Sequence, residues 1–137
     1  MISARPGTIV TVERVINRAS HATVAEPVAR LIAEVEARGM KLFMTIDHSA
    51  EARATGLELR ETKLVVFGNP RTGTPIMQAA AVAGLDLPLK VLVRVDPGRT
   101  CVSSAAPAEL AARYQLSDEL AAGLAGIDAL TEAAVGR

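Results

Sequence analysis

At 137 residues the chain fits one domain, a size that buries roughly 68% of its unfolded surface around a single core. Lysine and arginine total 15 against 15 aspartate and glutamate, without a basic block or an aromatic ladder, so the charge footprint of nucleic-acid binding is absent. Half of the residues are hydrophobic but only Phe43, Phe67 and Tyr114 are aromatic, so the expected interior is aliphatic and filled with alanine.

The opening segment MISARPGTIV lacks the charged and apolar regions of a secretory leader, and no run approaches the length that spans a bilayer. A cytoplasmic protein without a membrane partner is expected. Cys101 is the single cysteine, which leaves no intrachain disulfide and agrees with a reducing compartment. It lies in the β-like run RTCVSSA with no histidine nearby, the setting of a buried structural thiol rather than a nucleophile.

In chain order, the β-branched run from Thr8 to Val15 reads as a first strand. Thr23 and Glu26 then make a capping-box pattern, and Val24, Val28, Leu31, Ile32 and Val35 recur at helical spacing to give one buried face. Pro27 falls in the first turn, where a missing N–H costs least, and Gly39 supplies the left-handed stop. MKLFMTID follows as a strand with Met40, Leu42, Met44 and Ile46 on one face, and Ser49 is placed to cap a short helix that Gly56 ends. LELRETKLVVFGN returns to strand. Thr74 then reads as an N-cap, Pro75 as a first-turn residue, and IMQAAAVAG as a helix ending at Gly84.

LPLKVLVRVDPGRTCVSS reads as a hairpin, with Leu89, Val91, Val93 and Val95 alternating and Pro97-Gly98 at the centre of a type II turn. Pro107 opens the next helix, and Ser117 caps a last one whose stripe is Leu120, Leu124, Ile127 and Thr131. This order predicts an α+β domain over residues 1–137, with its core in 8–134: a single mixed, mostly antiparallel sheet with helices packed on one face.

Gly68-Asn69-Pro70-Arg71-Thr72-Gly73 matches the first six positions of the phosphate-loop pattern G-x-x-x-x-G-K-[ST] and stands between a strand and a helix. Thr74 replaces the lysine that would reach the phosphates, and Pro75 replaces the hydroxyl that would hold magnesium, so a nucleoside triphosphate site is not expected. A capped turn without a ligand and a weaker carboxylate or phosphate site, built from the amides of Thr72 and Gly73 with Arg71, both remain open.

The block GLELRETKLVVFGNPRTGTPIMQAAAVAGLDLPLKVLV resembles the bacterial domain of unknown function 302 family, and the likeness extends upstream through IDHSAEARATG. Asp47, His48, Gly68, Asn69, Pro70, Gly73, Thr74, Pro75 and Lys90 match the family pattern, while Arg71 replaces a usual lysine and Ile76 a usual leucine. The resemblance implies an α+β fold similar to the TATA-binding-protein-like class, a homodimer, and no assigned reaction or catalytic residue.

Asp47-His48 is the other chemical candidate. At a strand end in extended geometry the two side chains would point to opposite faces, which is poor for a shared ligand or proton relay. His48 reads as a structural or helix-start residue, with acid/base and metal roles as alternatives. His21, the second of two histidines, reads as a solvated loop residue, and without a cysteine cluster a metal site is hard to build. Lys90 is either a pocket cation or an exposed strand lysine.

Three functional readings follow. The favoured one is a homodimeric small-ligand (anion) binding or regulatory domain, also open to a protein partner, with ligand contacts at Gly68, Asn69, Arg71, Thr72, Gly73, Thr74 and Lys90 and no metal or cofactor. The second is a small-molecule enzyme with His48 as acid/base, Asp47 beside it, and Arg71 or Lys90 orienting a carboxylate. The third is a structural protein-interaction module.

Overall fold

A computed structural model of the chain describes residues 2–3, 11–12 and 15–136. Its strands are β1 (Ile2–Ser3), β2 (Thr11–Val12), β3 (Val15–Ser20), β4 (Lys41–Asp47), β5 (Thr62–Gly68), β6 (Leu89–Asp96) and β7 (Arg99–Ala105). The α-helices are α1 (Ala25–Ala37), α2 (His48–Ala54), α3 (Pro70–Ala79), α4 (Pro107–Arg113), α5 (Asp118–Ala121) and α6 (Gly126–Val135). Two 3₁₀ segments, Ala81–Leu85 and Ala122–Leu124, complete the described elements.

The α+β expectation holds. Five strands form one sheet in the order β3-β7-β6-β5-β4, and β1 pairs with β2. Every described pairing is antiparallel, so the sheet is not mixed. Most of the expected first strand, Thr8 to Val15, lies outside the described residues; Thr11–Val12 pairs with Ile2–Ser3, and Val15 already belongs to β3.

The core follows from alternation on the strands meeting the helical stripe. Val65, Phe67, Val91, Val93 and Val102 point to one face, where Val24, Val28, Leu31 and Val35 of α1 and Ile127, Leu130 and Ala134 of α6 cover them. The Arg30 guanidinium of α1 donates to the carbonyls of Ala134 and Val135 at 3.3 and 3.4 Å, partnering the end of α6.

Helix α1 begins without the expected capping box: Val24 is already helical in φ and ψ and no side chain caps the start. Its end is as read. Gly39 takes φ +71°, its N–H bonds the Glu36 carbonyl at 3.1 Å, and Met40 N–H bonds the Val35 carbonyl at 3.0 Å, the paired bonds that a left-handed glycine allows.

Strand β4 departs from simple alternation. Leu42 pairs with Phe67, but the next partner of Val66 is Met44, so Phe43 is an extra residue in a bulge. Leu42 therefore shares the core face with Phe67, whereas Met44 and Ile46 share the reverse face with Val66 and Leu64. The four residues expected on one face divide between two.

The strand expected from Leu57 begins only at Thr62, and Leu57 and Leu59 are 66% and 49% exposed. The reason is the partner strand: β4 ends at Asp47, opposite Lys63, and the chain leaves there as α2. The β6–β7 turn agrees with its sequence, since Gly98 has φ +83°, the value a type II turn needs after proline. Ser117 caps α5 by accepting from Leu120 N–H at 3.3 Å, but the expected last helix is broken into α5, a 3₁₀ turn and α6. The break carries the stripe from a second apolar cluster, containing Leu120 and Leu124, into the main core at Ile127.

Candidate functional site

Strand β5 is anchored by Val65 and Phe67, both fully buried, and delivers Gly68 to the edge of the sheet. The next residues do not form an open loop. Asn69 is the N-cap of α3, with its Oδ1 accepting from Arg71 N–H at 2.9 Å, and Pro70 takes the first helical position, where a missing N–H costs nothing. The Asn69 carbonyl accepts from Thr72 N–H at 2.9 Å and Gly73 N–H at 2.8 Å, while the Thr72 hydroxyl donates to it at 3.0 Å.

Two expectations are corrected here. Thr74 is not an N-cap and Pro75 is not in the first turn; both lie inside α3, because Asn69 starts the helix five residues before Thr74. The amides of Thr72 and Gly73 are spent on Asn69, so the expected backbone cradle for an anion is not open in this geometry. Arg71 is exposed. Helix α3 also ends early, at Ala79, where Ala80 adopts an extended backbone (φ −145°, ψ 91°) before the first 3₁₀ segment.

The same residues instead wall a cavity of about 300 Å³. Gly68, Asn69, Pro70, Gly73 and Met77 form one side, Leu87, Pro88 and Leu89 another, and Phe43, Gly123 and Leu124 close it. The Leu87-Pro88 peptide is cis. Next to it Asp86 accepts from the Tyr114 hydroxyl and, at 2.8 Å, from the Arg113 guanidinium, which ties the Leu87–Leu89 wall to α4. The Tyr114 hydroxyl bond, helped by Arg113, holds the Asp86 carboxyl below its ordinary range. The lining is mostly apolar, with Asn69, Thr72 and Thr74 as its polar side chains.

Asp47 and His48 are elsewhere. Asp47 pairs with Lys63, whereas Lys41 pairs with Gly68, so the pair stands at the opposite end of β4 and β5 from the cavity. Five residues of strand separate Lys63 from Gly68, about 17 Å. Asp47, rather than the expected Ser49, caps α2: its Oδ1 accepts from Ala50 N–H at 2.9 Å and from the Ser49 hydroxyl at 2.6 Å. Ser49 is buried and its hydroxyl accepts from Thr62 N–H at 3.2 Å, tying α2 to β5. The Ser49 and Ala50 bonds hold the Asp47 carboxyl below its ordinary range. His48 is exposed at the first position of α2. Lys90, opposite Val66, donates to the Pro88 carbonyl at 3.2 Å from an exposed position. Asp47 and His48 are therefore not gathered into one site with Asn69 and Arg71.

Sequence reasoning missed Phe43, Leu87, Pro88, Leu89 and Leu124 as cavity residues. For Leu87, Pro88 and Leu89 the signal is the apolar LPL cluster after the GNPRTGTP block; Phe43 and Leu124 carry no local signal.

The sequence profile of a family described as "Domain of unknown function DUF302" matches residues 16–134. The chain belongs to this family. A crystal structure of an uncharacterized conserved DUF302 protein from Bacillus stearothermophilus has the same fold, with a TM-score of 0.75 over 90% of this chain and 97% of that one at 17% identity. Two Brucella proteins called fluoride-specific ion channel FluC 1 are 39% identical over 117 residues, 85% of this chain. The chain spans only 44% of the relative from Brucella suis and 41% of that from Brucella abortus. Among the described residues, no helix is long and apolar enough to cross a membrane.

The corrected cap is tested by two alanine variants. Asn69→Ala is expected to cost about 1 kcal/mol in urea unfolding, and Thr74→Ala to stay within about 0.5 kcal/mol. Asp47 supplies a pH test. Because its folded pKa is depressed, its charge stabilises above the unfolded carboxylate range, about pH 4, and this contribution fades as pH falls through the folded value. Asp47→Asn is expected to lower Tm at pH 7, with the difference from the wild type closing as pH falls through the depressed folded value.

Proposed function

We propose that this chain is a small-ligand-binding or regulatory domain whose site is the cavity between the start of α3 and the Leu87–Leu89 segment. The observation that carries this reading is convergence. The residues of the GNPRTGTP block and those of the LPL block line one mostly apolar cavity together with Phe43 and Leu124, which come from distant parts of the chain. Pockets for compact ligands begin at roughly 300 Å³ and combine apolar walls with a few placed polar groups.

The anion reading survives in altered form: with the first-turn amides committed to Asn69, charge recognition falls to side chains at the mouth. A sensing role also suits the Brucella relatives, in which the matched segment is less than half of a longer chain named as an ion channel. The enzyme reading has less support, since His48 stands a strand length from the cavity.

The same reading makes the working unit a homodimer. Support comes from Phe43 and Met44, 42% and 53% exposed on the edge strand β4, and from the reverse face of the sheet, where Leu64, Leu92 and Val15 line an open hollow. Sedimentation at micromolar concentration is expected to show two chains together; a monomer throughout removes that part of the proposal.

Gly73 tests the cavity. It lies inside α3 without a positive φ, and a Cβ there meets only the Leu87 side chain at 3.9 Å. Gly73→Ala is expected to raise stability by about 0.5–1 kcal/mol through helix propensity. By narrowing the cavity it is also expected to weaken ligands found in an NMR screen of small metabolites. Hits that bind the variant and the wild type alike, with shifts away from Gly68, Gly73 and Gly123, speak against this site.

A further inference from the structure

We infer that the ligand is a compact apolar monocarboxylate, recognised by Lys41 and Phe43 at the cavity mouth; this rests on the cavity reading above.

The argument begins with the bulge. On a regular edge strand Phe43 would alternate with its neighbours, but the extra residue between Leu42 and Met44 frees it from pairing. Its ring lies over Gly68, with Cε2 3.8 Å from where a Cβ on that glycine would stand, and it forms a wall of the cavity. Lys41 is paired directly with Gly68, and its ammonium sits 5.0 Å from the centre of the Phe43 ring. A cation is thereby held against the aromatic wall of the cavity.

The charge beside the Phe43 wall is positive, and Asp86, next to Leu87, is already committed to Arg113 and Tyr114. None of the residues lining the cavity is acidic or basic, and among the described residues Lys41 has no ion pair. Two of the three polar side chains add donors, whereas the Thr72 hydroxyl has given its proton to the Asn69 carbonyl and is left as an acceptor. Asn69 has its side-chain oxygen committed to Arg71 N–H and its carbonyl to Thr72 and Gly73, so the amide nitrogen is what it has left to offer. Thr74 adds a hydroxyl. Donors with one cation, placed at the edge of an apolar chamber, complement a group that only accepts and carries negative charge. The chamber itself, with Ile76, Met77, Leu87, Leu89 and Leu124, complements an aromatic or branched aliphatic body.

A nucleotide or an inorganic anion does not meet this description. The first is far larger and more polar than the chamber, and the second leaves the apolar walls without a partner.

The experiment is an NMR titration of amide resonances with four probes: phenylacetate, 3-methylbutanoate and the neutral amides of both. The two carboxylates are expected to shift Gly68, Gly73 and Gly123 saturably, and the amides to bind about tenfold more weakly or worse. Lys41→Met keeps the stem over Phe43 and removes the charge; it is expected to bring the carboxylates down to the affinity of their amides, while Lys41→Arg retains the preference. The spectrum of each variant establishes that it is folded. Equal binding of acids and amides, or a preference for acids that survives Lys41→Met, overturns the carboxylate inference and leaves the cavity reading standing. If none of the four probes moves those glycines, the carboxylate inference falls, and the cavity reading is decided by the metabolite screen.

Discussion

The burial of Phe67 and Val65 on β5 is the constraint from which the rest of the structure follows. Both are fully inaccessible beneath α1 and α6, in a chain with three aromatic residues to fill its interior. Side chains alternate strictly along a strand, so a slip of one residue would turn Val65 and Phe67 to the reverse face and bring Leu64 and Val66 under the helices. The register of β5 is therefore held from one side by packing. With it is set the place where Gly68 leaves the sheet, and hence the direction in which Asn69 and Pro70 launch α3.

That launch determines the chemistry available. A glycine-bounded segment after a strand suggests free amides waiting for an anion, but an asparagine before a proline is a strong helix start, and here it draws in the three amides that follow. The cap moves the helix boundary five residues upstream of the Thr74-Pro75 pair and converts a would-be phosphate loop into the first turn of a helix. Pro75 then lies within α3, where it removes the N–H that would have reached the Arg71 carbonyl. Under the proposed function, charge recognition then falls to the side chains around the cavity mouth.

The two halves of the molecule use their polar groups differently. At the Lys63 end, Asp47, Ser49 and Ala50 form a closed set of hydrogen bonds that anchors α2 to the start of β5. At the Gly68 end the cavity lining is mostly apolar, with Asn69, Thr72 and Thr74 as its polar side chains. The depressed pKa of Asp47 is thus a mark of capping, and that of Asp86 is a mark of the tie its carboxyl makes from the turn before β6 to Tyr114 and Arg113. Neither is evidence of catalysis.

Local features were legible from the sequence because they depend on near neighbours. The stripe of α1, the left-handed stop at Gly39, the Pro97-Gly98 turn, the start of α4 at Pro107 and the Ser117 cap follow from residues a few positions apart, and the α+β class follows from their order. The conspicuous GNPRTGTP block was legible too, as a place of interest. What it builds was not. Whether Asn69 or Thr74 caps α3 is a competition between two adequate signals, decided by where the buried β5 ends. The bulge at Phe43 depends on the register of β4 against β5, which periodicity alone does not carry. That Asp47 and Gly68 stand at opposite ends of one strand pair, while Leu87 and Leu124 share a cavity with Gly73, is a matter of antiparallel pairing and helix placement. Neighbour chemistry settles the elements of this protein; only long-range packing settles which of their ends share a cavity.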